Sequence, residues 1–312
     1  MPVANSRITQ GMMNTQLVRN LYTNLNSMDR SQNQMATGRK INKPSDDPVG
    51  ISFAMRYRSD LTANDQYQQN VSSSISWLEY TDTMLDQANS VLQRVRELTV
   101  QGANGSNPQI AEDAVKAEIE QLKKQLVRIG NSEFNGKYVF NGQITDKAPY
   151  SELPGAKNYD DGTGNTDLGV TDPGLIQFEI GVGIKIPVNT TGNNIFGKPD
   201  DPDNAFKILD DIAGYLAAGD TASVSSSLGE LDSRINKFLE VRSDIGAKLN
   251  RIELADERLK DIDLNLQTLQ SKTEDADLAE VVTDLKVKEN IYQASLSVGA
   301  KIIQPSLVDF LR

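Results

Sequence analysis

Apolar residues recur at helical spacing over most of this chain, and the places where the pattern fails divide it into parts. Leu17, Leu21, Leu25, Met28 and Met35 follow steps of 4, 4, 3 and 7, which is one face of a helix. That stripe is narrow, because 19 of the 41 residues from 5 to 45 are Asn, Gln, Ser or Thr. Gly38 predicts the stop of this helix. Lys43-Pro44-Ser45-Asp46-Asp47-Pro48 reads as a turn, with Asp47 capping the next helix and Pro48 at its first position. Val71, Leu78, Leu85 and Leu92 then repeat every seven residues, up to the breaker Gln101-Gly102-Ala103-Asn104-Gly105-Ser106-Asn107-Pro108. Val115, Ile119, Leu122, Leu126 and Ile129 mark a second helix closed by Gly130-Asn131.

Residues 149–205 change character, holding 9 of the 22 glycines and 6 of the 11 prolines. Leu175–Ile180 and Ile184–Val188 alternate like short strands about Gly181-Val182-Gly183. Helix returns near Asn204. Phe238, Ile245, Ile252, Leu259 and Leu266 form a strict heptad series, and a helix over 238–269 would run about 48 Å at 1.5 Å per residue. Asp244–Lys248 and Asp256–Lys260 supply favourable pairs one turn apart on its wet side. A last apolar stripe, Leu278, Val282, Leu285, Tyr292, Leu296, Ile303, Leu307 and Phe310, continues through Pro305.

The parts nest. The expected fold is mainly α: an elongated antiparallel helical bundle with paired terminal helices and a small β-rich inserted domain. The expected divisions are a terminal helix (1–45), one bundle half (46–148), an outward-facing insert (149–205), the other half (206–275) and a second terminal helix (276–312). The inner heptads are core of the bundle, and Trp77 is a contact within it. The terminal stripes have no such partner. Ordering roughly 40 residues at each end costs on the order of 1–2 kcal/mol per residue. Five to eight stripe side chains, at roughly 1.5–3 kcal/mol each, do not offset that. The termini are therefore expected to be disordered alone and to fold on assembly.

Composition removes several functions. Net charge is −11, which repels nucleic acid, although residues 1–45 carry six basic side chains against one acidic. Without cysteine or histidine there is no thiolate or imidazole metal site and no His-assisted nucleophile. No apolar run is long enough to span a membrane, and the first residues lack the apolar core of a secretory signal. No cofactor, metal or small-molecule substrate is expected.

The remaining candidate chemistry is thin. Asp46-Asp47 is a carboxylate pair, but between prolines it reads as a turn and a helix cap rather than an acid/base dyad. Asp161-Gly162-Thr163-Gly164-Asn165-Thr166-Asp167 alternates oxygen ligands as calcium loops do, yet lacks the central glycine and closing glutamate. Gly162-x-Gly164 lacks the third glycine and preceding strand of a dinucleotide loop. An insert-borne enzyme would have to work with carboxylates such as Asp160, Asp161 and Asp167 on a segment with little core.

Several segments resemble the bacterial flagellin superfamily. They are Arg7-Ile8-Thr9-Gln10-Gly11-Met12-Met13, Ala36–Gly50, Arg94-Val95-Arg96-Glu97-Leu98-Thr99-Val100-Gln101, and Phe134-Asn135-Gly136-Lys137-Tyr138-Val139-Phe140-Asn141-Gly142. The resemblance covers roughly 6–148 and 205–312 and leaves the insert unmatched. Within the superfamily, the Arg-x-Thr-Gln-x-Met-Met start is similar to that of the subunits at the hook–filament junction. So is the tail Gln304-Pro305-Ser306-Leu307-Val308-Asp309-Phe310-Leu311.

That resemblance implies a structural, non-enzymatic part in motility, outside the cell at the junction of the flagellum. Export would be unfolded, through the flagellar type III apparatus, with no cleaved signal. It implies as partners hook-associated protein 1, flagellin, copies of the chain in a ring, and a cytosolic export chaperone. The implied subunit interface is Leu17, Leu21, Leu25, Met28, Leu285, Tyr292, Leu296, Ile303, Leu307 and Phe310. Leu17, Leu21 and Leu25 would pair with Leu296, Ile303 and Leu307 of the same or a neighbouring subunit. The chaperone would cover Leu285, Tyr292, Leu296 and Ile303. Leu92–Leu98 also resembles the flagellin surface read by the host innate receptor, which shared subunit packing explains. A filament flagellin and a cytosolic coiled-coil scaffold remain the alternatives.

Overall fold

Capping residues set the helix ends in this structure, a computed structural model that describes residues 10–104, 108–153, 155–160 and 171–303. Helix α1 (Gln10–Thr37) stops where Gly38 turns to φ 68°, a conformation that costs glycine nothing. Helix α2 (Pro48–Gly102) starts on Asp47, whose Oδ1 accepts hydrogen bonds from the amides of Val49 at 3.1 Å and Gly50 at 2.9 Å. Helix α3 spans Gln109–Gly130. Strands β1 (Glu133–Phe134) and β2 (Lys137–Tyr138) form a tight hairpin whose turn residues, Asn135 and Gly136, both have positive φ.

Strands β3 (Gln177–Gly181) and β4 (Ile184–Pro187) pair antiparallel, with a register shift between Glu179 and Gly181. The short α4 (Gly192–Phe196) follows. Helix α5 (Ala205–Ala218) is capped by Asn204 and ended by Gly219, and Asp220 then caps α6 (Thr221–Glu274) through the Ser223 amide. Gly219-Asp220 thus divides into two helices a stretch that heptads alone would run together. Asp277 caps α7 (Leu278–Ile303). The fold is mainly α, with two small two-stranded sheets among the described residues.

The described chain packs as two compact units, residues 1–63 with 262–312 and residues 64–261, and α2 and α6 contribute to both. In the second unit, α2 and α6 run antiparallel. Asn64 Nδ2 donates to Leu259 O, Arg242 bridges Asp82 and Asp86, and Arg96 meets Asp232 at 2.7 Å. The heptad residues Val71, Leu78, Leu85, Leu92, Ile119, Leu126, Phe238, Ile245, Ile252 and Leu259 are all buried in one core. Both expected ion pairs form, Asp244–Lys248 at 2.7 Å and Asp256–Lys260 at 2.6 Å. Trp77 packs edge-on against Phe134, with ring centroids 5.8 Å apart.

Among its described residues, the insert holds one hairpin and shares its core with the helices. Phe196 meets Phe140, Tyr150, Phe206 and Phe238, and Tyr150 also meets Phe206, with ring centroids 4.8–6.0 Å apart and mostly edge-on or tilted. Gly130 and Gly192 leave room for the Tyr150 ring, since a Cβ at either would come within 2.6 Å of it. Beside this cluster the Arg234 guanidinium is buried. It donates to Asp203 O and Ile195 O and pairs with Asp203 Oδ1 at 2.6 Å, stapling the 195–204 loop to α6.

Arg234→Ala would strand the buried Asp203 carboxylate with only Lys237 as counter-ion, at a cost of about 3–5 kcal/mol. Urea unfolding followed by the fluorescence of Trp77, the only tryptophan, measures this directly. Burial pushes the Asp203 carboxyl up, but Lys237 and Arg234 outweigh it and hold the group below its ordinary range. Its contribution is therefore present above the unfolded carboxylate pKa and lost as pH falls through the folded one. The difference between wild type and Arg234→Ala should shrink on that acid limb.

Candidate assembly surface

The two terminal helices lie antiparallel along a seam with helical spacing on both sides. On α1 the inward positions are Leu17, Leu21, Asn24, Met28 and Ser31, in steps of 4, 3, 4 and 3. On α7 they are Val281, Leu285, Lys288, Tyr292, Ser295 and Gly299, in steps of 4, 3, 4, 3 and 4. Three rungs fix the register. Leu17 Cδ2 sits over Gly299, only 2.9 Å from where a Cβ would stand. Asn24 Nδ2 donates to Ser295 Oγ at 3.0 Å. Lys288 Nζ donates to the buried Ser31 Oγ at 2.7 Å.

The seam ends at a pinned junction built from the 36–50 segment. Lys40 N donates to Glu274 O at 2.6 Å and Ala276 N to Gly38 O at 3.0 Å, with a bridge between Arg39 and Asp275. The buried Glu274 carboxylate accepts from Arg58 Nε and Nη2 and lies 3.8 Å from Arg39. The Lys43 and Asn42 amides donate to Asp46, which with the nearby Arg30 guanidinium hold its carboxyl below the ordinary range. Both members of the Asp46-Asp47 pair are therefore occupied by backbone amides, as turn and cap. Ile41 is buried against Gly50, where any Cβ would come within 2.6 Å of it.

The interface residues expected from sequence divide between the seam and the outside. Leu285 is 8% exposed in the seam, and Leu17, Leu21, Met28 and Tyr292 are half-buried there. Leu25 and Leu296, at 38% and 44% exposed, face away from it, and Leu17 meets Gly299 rather than Leu296. Leu307, Phe310 and the Ile303 side chain lie outside the described residues, as does the 161–167 loop. The seam residues that sequence reasoning missed are Asn24, Ser31, Val281, Lys288, Ser295 and Gly299; the stripe expected at Leu278 and Val282 is exposed, and Val281 takes the inward place. A search for apolar stripes passes over the polar and small ones, although 17, 24, 31 and 38 are spaced by sevens.

Much that is apolar remains outside, among polar side chains. Among the described residues, the unit containing α1 and α7 holds only four of the 42 buried apolar side chains: Ile41, Ala54, Val281 and Leu285. The same unit carries 18 of the 26 exposed large apolar side chains, including Val18, Tyr22, Phe53, Val287 and Ile291. That asymmetry marks a surface built to be covered. Among the described residues no cluster could hold a metal ion, and no helix is long and apolar enough to cross a membrane.

Comparison with known proteins matches two regions of the chain. The bacterial flagellin N-terminal helical region matches residues 8–145, and the bacterial flagellin C-terminal helical region matches residues 220–311. The chain is 24% identical to the flagellar filament 30.7 kDa core protein of Treponema maltophilum, over 94% of this chain and 95% of that one. It is also 24% identical to flagellar hook-associated protein 3 of Escherichia coli, over 93% and 94%. A solved structure of a hook-associated protein described as putative, from Vibrio parahaemolyticus, superposes with a TM-score of 0.64 at 20% identity, covering 74% of this chain and all of that one.

A Cβ branch at Gly299 has no room beside Leu17, so Gly299→Val should push α7 off α1. Amide hydrogen exchange measures this. Protection should fall about tenfold or more across 17–31 and 281–299, while residues 64–261 keep theirs.

Proposed function

We propose that this chain, which belongs to the bacterial flagellin family, is a structural, non-enzymatic subunit of the flagellar hook–filament junction, of the kind represented by hook-associated protein 3. The observation that carries the reading is the placement of apolar side chains. Among its described residues, the unit made from the two chain ends buries four apolar side chains and exposes 18 large ones, so it would gain stability from neighbours more than from itself. Neighbouring copies would close a ring through these faces. Hook-associated protein 1 would lie on one side of the ring and flagellin on the other. The outward Leu25 and Leu296 are then contacts between subunits, while Leu17, Leu21, Met28, Leu285 and Tyr292 hold the pair inside each one. Ile303, Leu307 and Phe310 would extend the contact.

Export fits the same surface. A cytosolic chaperone on Leu285, Tyr292, Leu296 and Ile303 would occupy an α7 stripe of which α1 otherwise covers Leu285 and Tyr292. The ends could not then pair before the unfolded chain passes through the flagellar type III apparatus. Two sequence features support the junction over the filament: the Arg7-x-Thr9-Gln10-x-Met12-Met13 start and the Gln304–Leu311 tail. The filament reading draws on one observation of its own, the equal identity to a filament core protein.

A deletion strain separates them. Intact hooks without filaments, with flagellin shed into the medium, are expected for the junction subunit. Loss of filaments with no flagellin in the medium would make this chain the filament protein, and normal filaments would sink both readings. In the complemented strain, Leu21→Asp should abolish filament attachment while Trp77-monitored unfolding of the purified protein shifts little.

A further inference from the structure

Five of the seven methionines fall between residues 12 and 55, in the unit whose apolar face is exposed. Met12 and Met55 are 62% and 64% exposed, Met13 and Met35 are also exposed, and Met28 is half-buried in the seam. In the other unit Met84 is half-buried against the core, and its sulfur accepts a hydrogen bond from Ser132 Oγ. The chain has no cysteine, so these thioethers are its most easily oxidised aliphatic groups. We propose that the methionines of the terminal unit are an oxidation-sensitive modification site, and that their conversion to sulfoxides blocks association with a second copy of this chain without unfolding residues 64–261. The proposal rests on the reading above, that copies meet through the terminal unit.

The chemistry needs a hydroperoxide as co-reactant. A sulfur lone pair takes the terminal oxygen, the S–O bond forms and the O–O bond breaks. The departing oxygen is protonated, so the thioether is oxidised by two electrons and hydrogen peroxide is reduced to water. Each event replaces a flexible apolar side chain with a polar, chiral one on the surface that must lose its water on contact. Once copies have met, the same sulfurs are covered. Sensitivity therefore belongs to the unassembled chain.

Hydrogen peroxide on the purified full chain tests this. Peptide mass spectrometry should find sulfoxide at Met12, Met13, Met35 and Met55 well before Met84. Sedimentation should show self-association weakened about tenfold or more, with Trp77-monitored unfolding unchanged. Methionine sulfoxide reductases should restore association. The combined variant Met12→Leu, Met13→Leu, Met35→Leu and Met55→Leu, which keeps size and apolarity, should associate equally before and after peroxide. Equal association of oxidised wild type, equal loss in the leucine variant, or no self-association of untreated chain would each overturn the proposal. Adding the chain to hooks from the deletion strain separates the two claims. Attachment unaffected by oxidation sinks this proposal alone, and self-association without attachment to hooks sinks the functional reading alone.

Discussion

The terminal helices meet in the register that their junction imposes. Gly38 turns the chain, Lys40 and Ala276 exchange backbone hydrogen bonds with Glu274 and Gly38, and the Glu274 carboxylate is held by Arg58. From that pin, seven-residue steps along α1 bring Ser31 to Lys288, Asn24 to Ser295 and Leu17 to Gly299. Each rung has a polar pair or a glycine. Side-chain hydrogen bonds of this kind are worth roughly 0.5–1.5 kcal/mol each, which specifies alignment more than it supplies stability. A pairing slipped by seven residues would lose both hydrogen bonds and, in one direction, set Ser31 opposite Val281, so the polar rungs favour one register as a buried Asn does in a coiled coil.

The two units use opposite physics. Residues 64–261 bury long heptads on three helices, an aromatic cluster and a fully enclosed Arg234–Asp203 pair, and need no partner to hold them. The terminal unit gives five of its eleven seam positions, Asn24, Ser31, Lys288, Ser295 and Gly299, to polar or small groups, and leaves further leucine, valine, isoleucine and methionine on its outside. In a free monomer that arrangement forgoes the roughly 1.5–3 kcal/mol gained for each large apolar side chain buried. In the proposed ring of copies the same residues would become the interface. A sequence with a well-buried monomeric seam would have little apolar surface left for its neighbours.

Much of this was legible in the chain, and what was missed has physical causes. Gly38 and Asp47-Pro48 mark helix ends because φ > 0, side-chain capping and a missing amide are local demands. The inner heptads were readable because most of their residues are buried, with Leu122 and Leu266 half-buried. The seam was only half readable. Leu17, Leu21, Met28, Leu285 and Tyr292 lie in it, but Leu25, Met35 and Leu296 point outward because Asn24, Ser31 and Ser295 hold the inward positions. Apolar spacing identifies a seam only when hydrophobicity drives the pairing. The α5–α6 break rests on Gly219 and Asp220 within a continuous apolar pattern. The insert's lack of a core of its own depends on Tyr150 and Phe196 reaching the Phe206–Phe238 cluster, a long-range contact with no local signature.

Weak pairing of α1 on α7 reconciles two demands that the proposed function makes of one surface. Export requires the ends to come apart, and assembly requires them to be helical and aligned. A seam of buried leucines would meet the second and resist the first. At rungs such as Asn24–Ser295 and Ser31–Lys288, opening exposes groups that water solvates well, so the penalty is smaller than for a seam apolar at every position. In the proposed function the chaperone, α1 and the neighbouring copy would compete for overlapping faces of α7. Leu285 and Tyr292 could face the chaperone or α1 but not both, whereas Leu296, Val287 and Ile291 are exposed beside the docked α1. The proposed order is then that release from the chaperone would let α1 align α7, and the aligned pair would present its exposed apolar side chains to the next subunit.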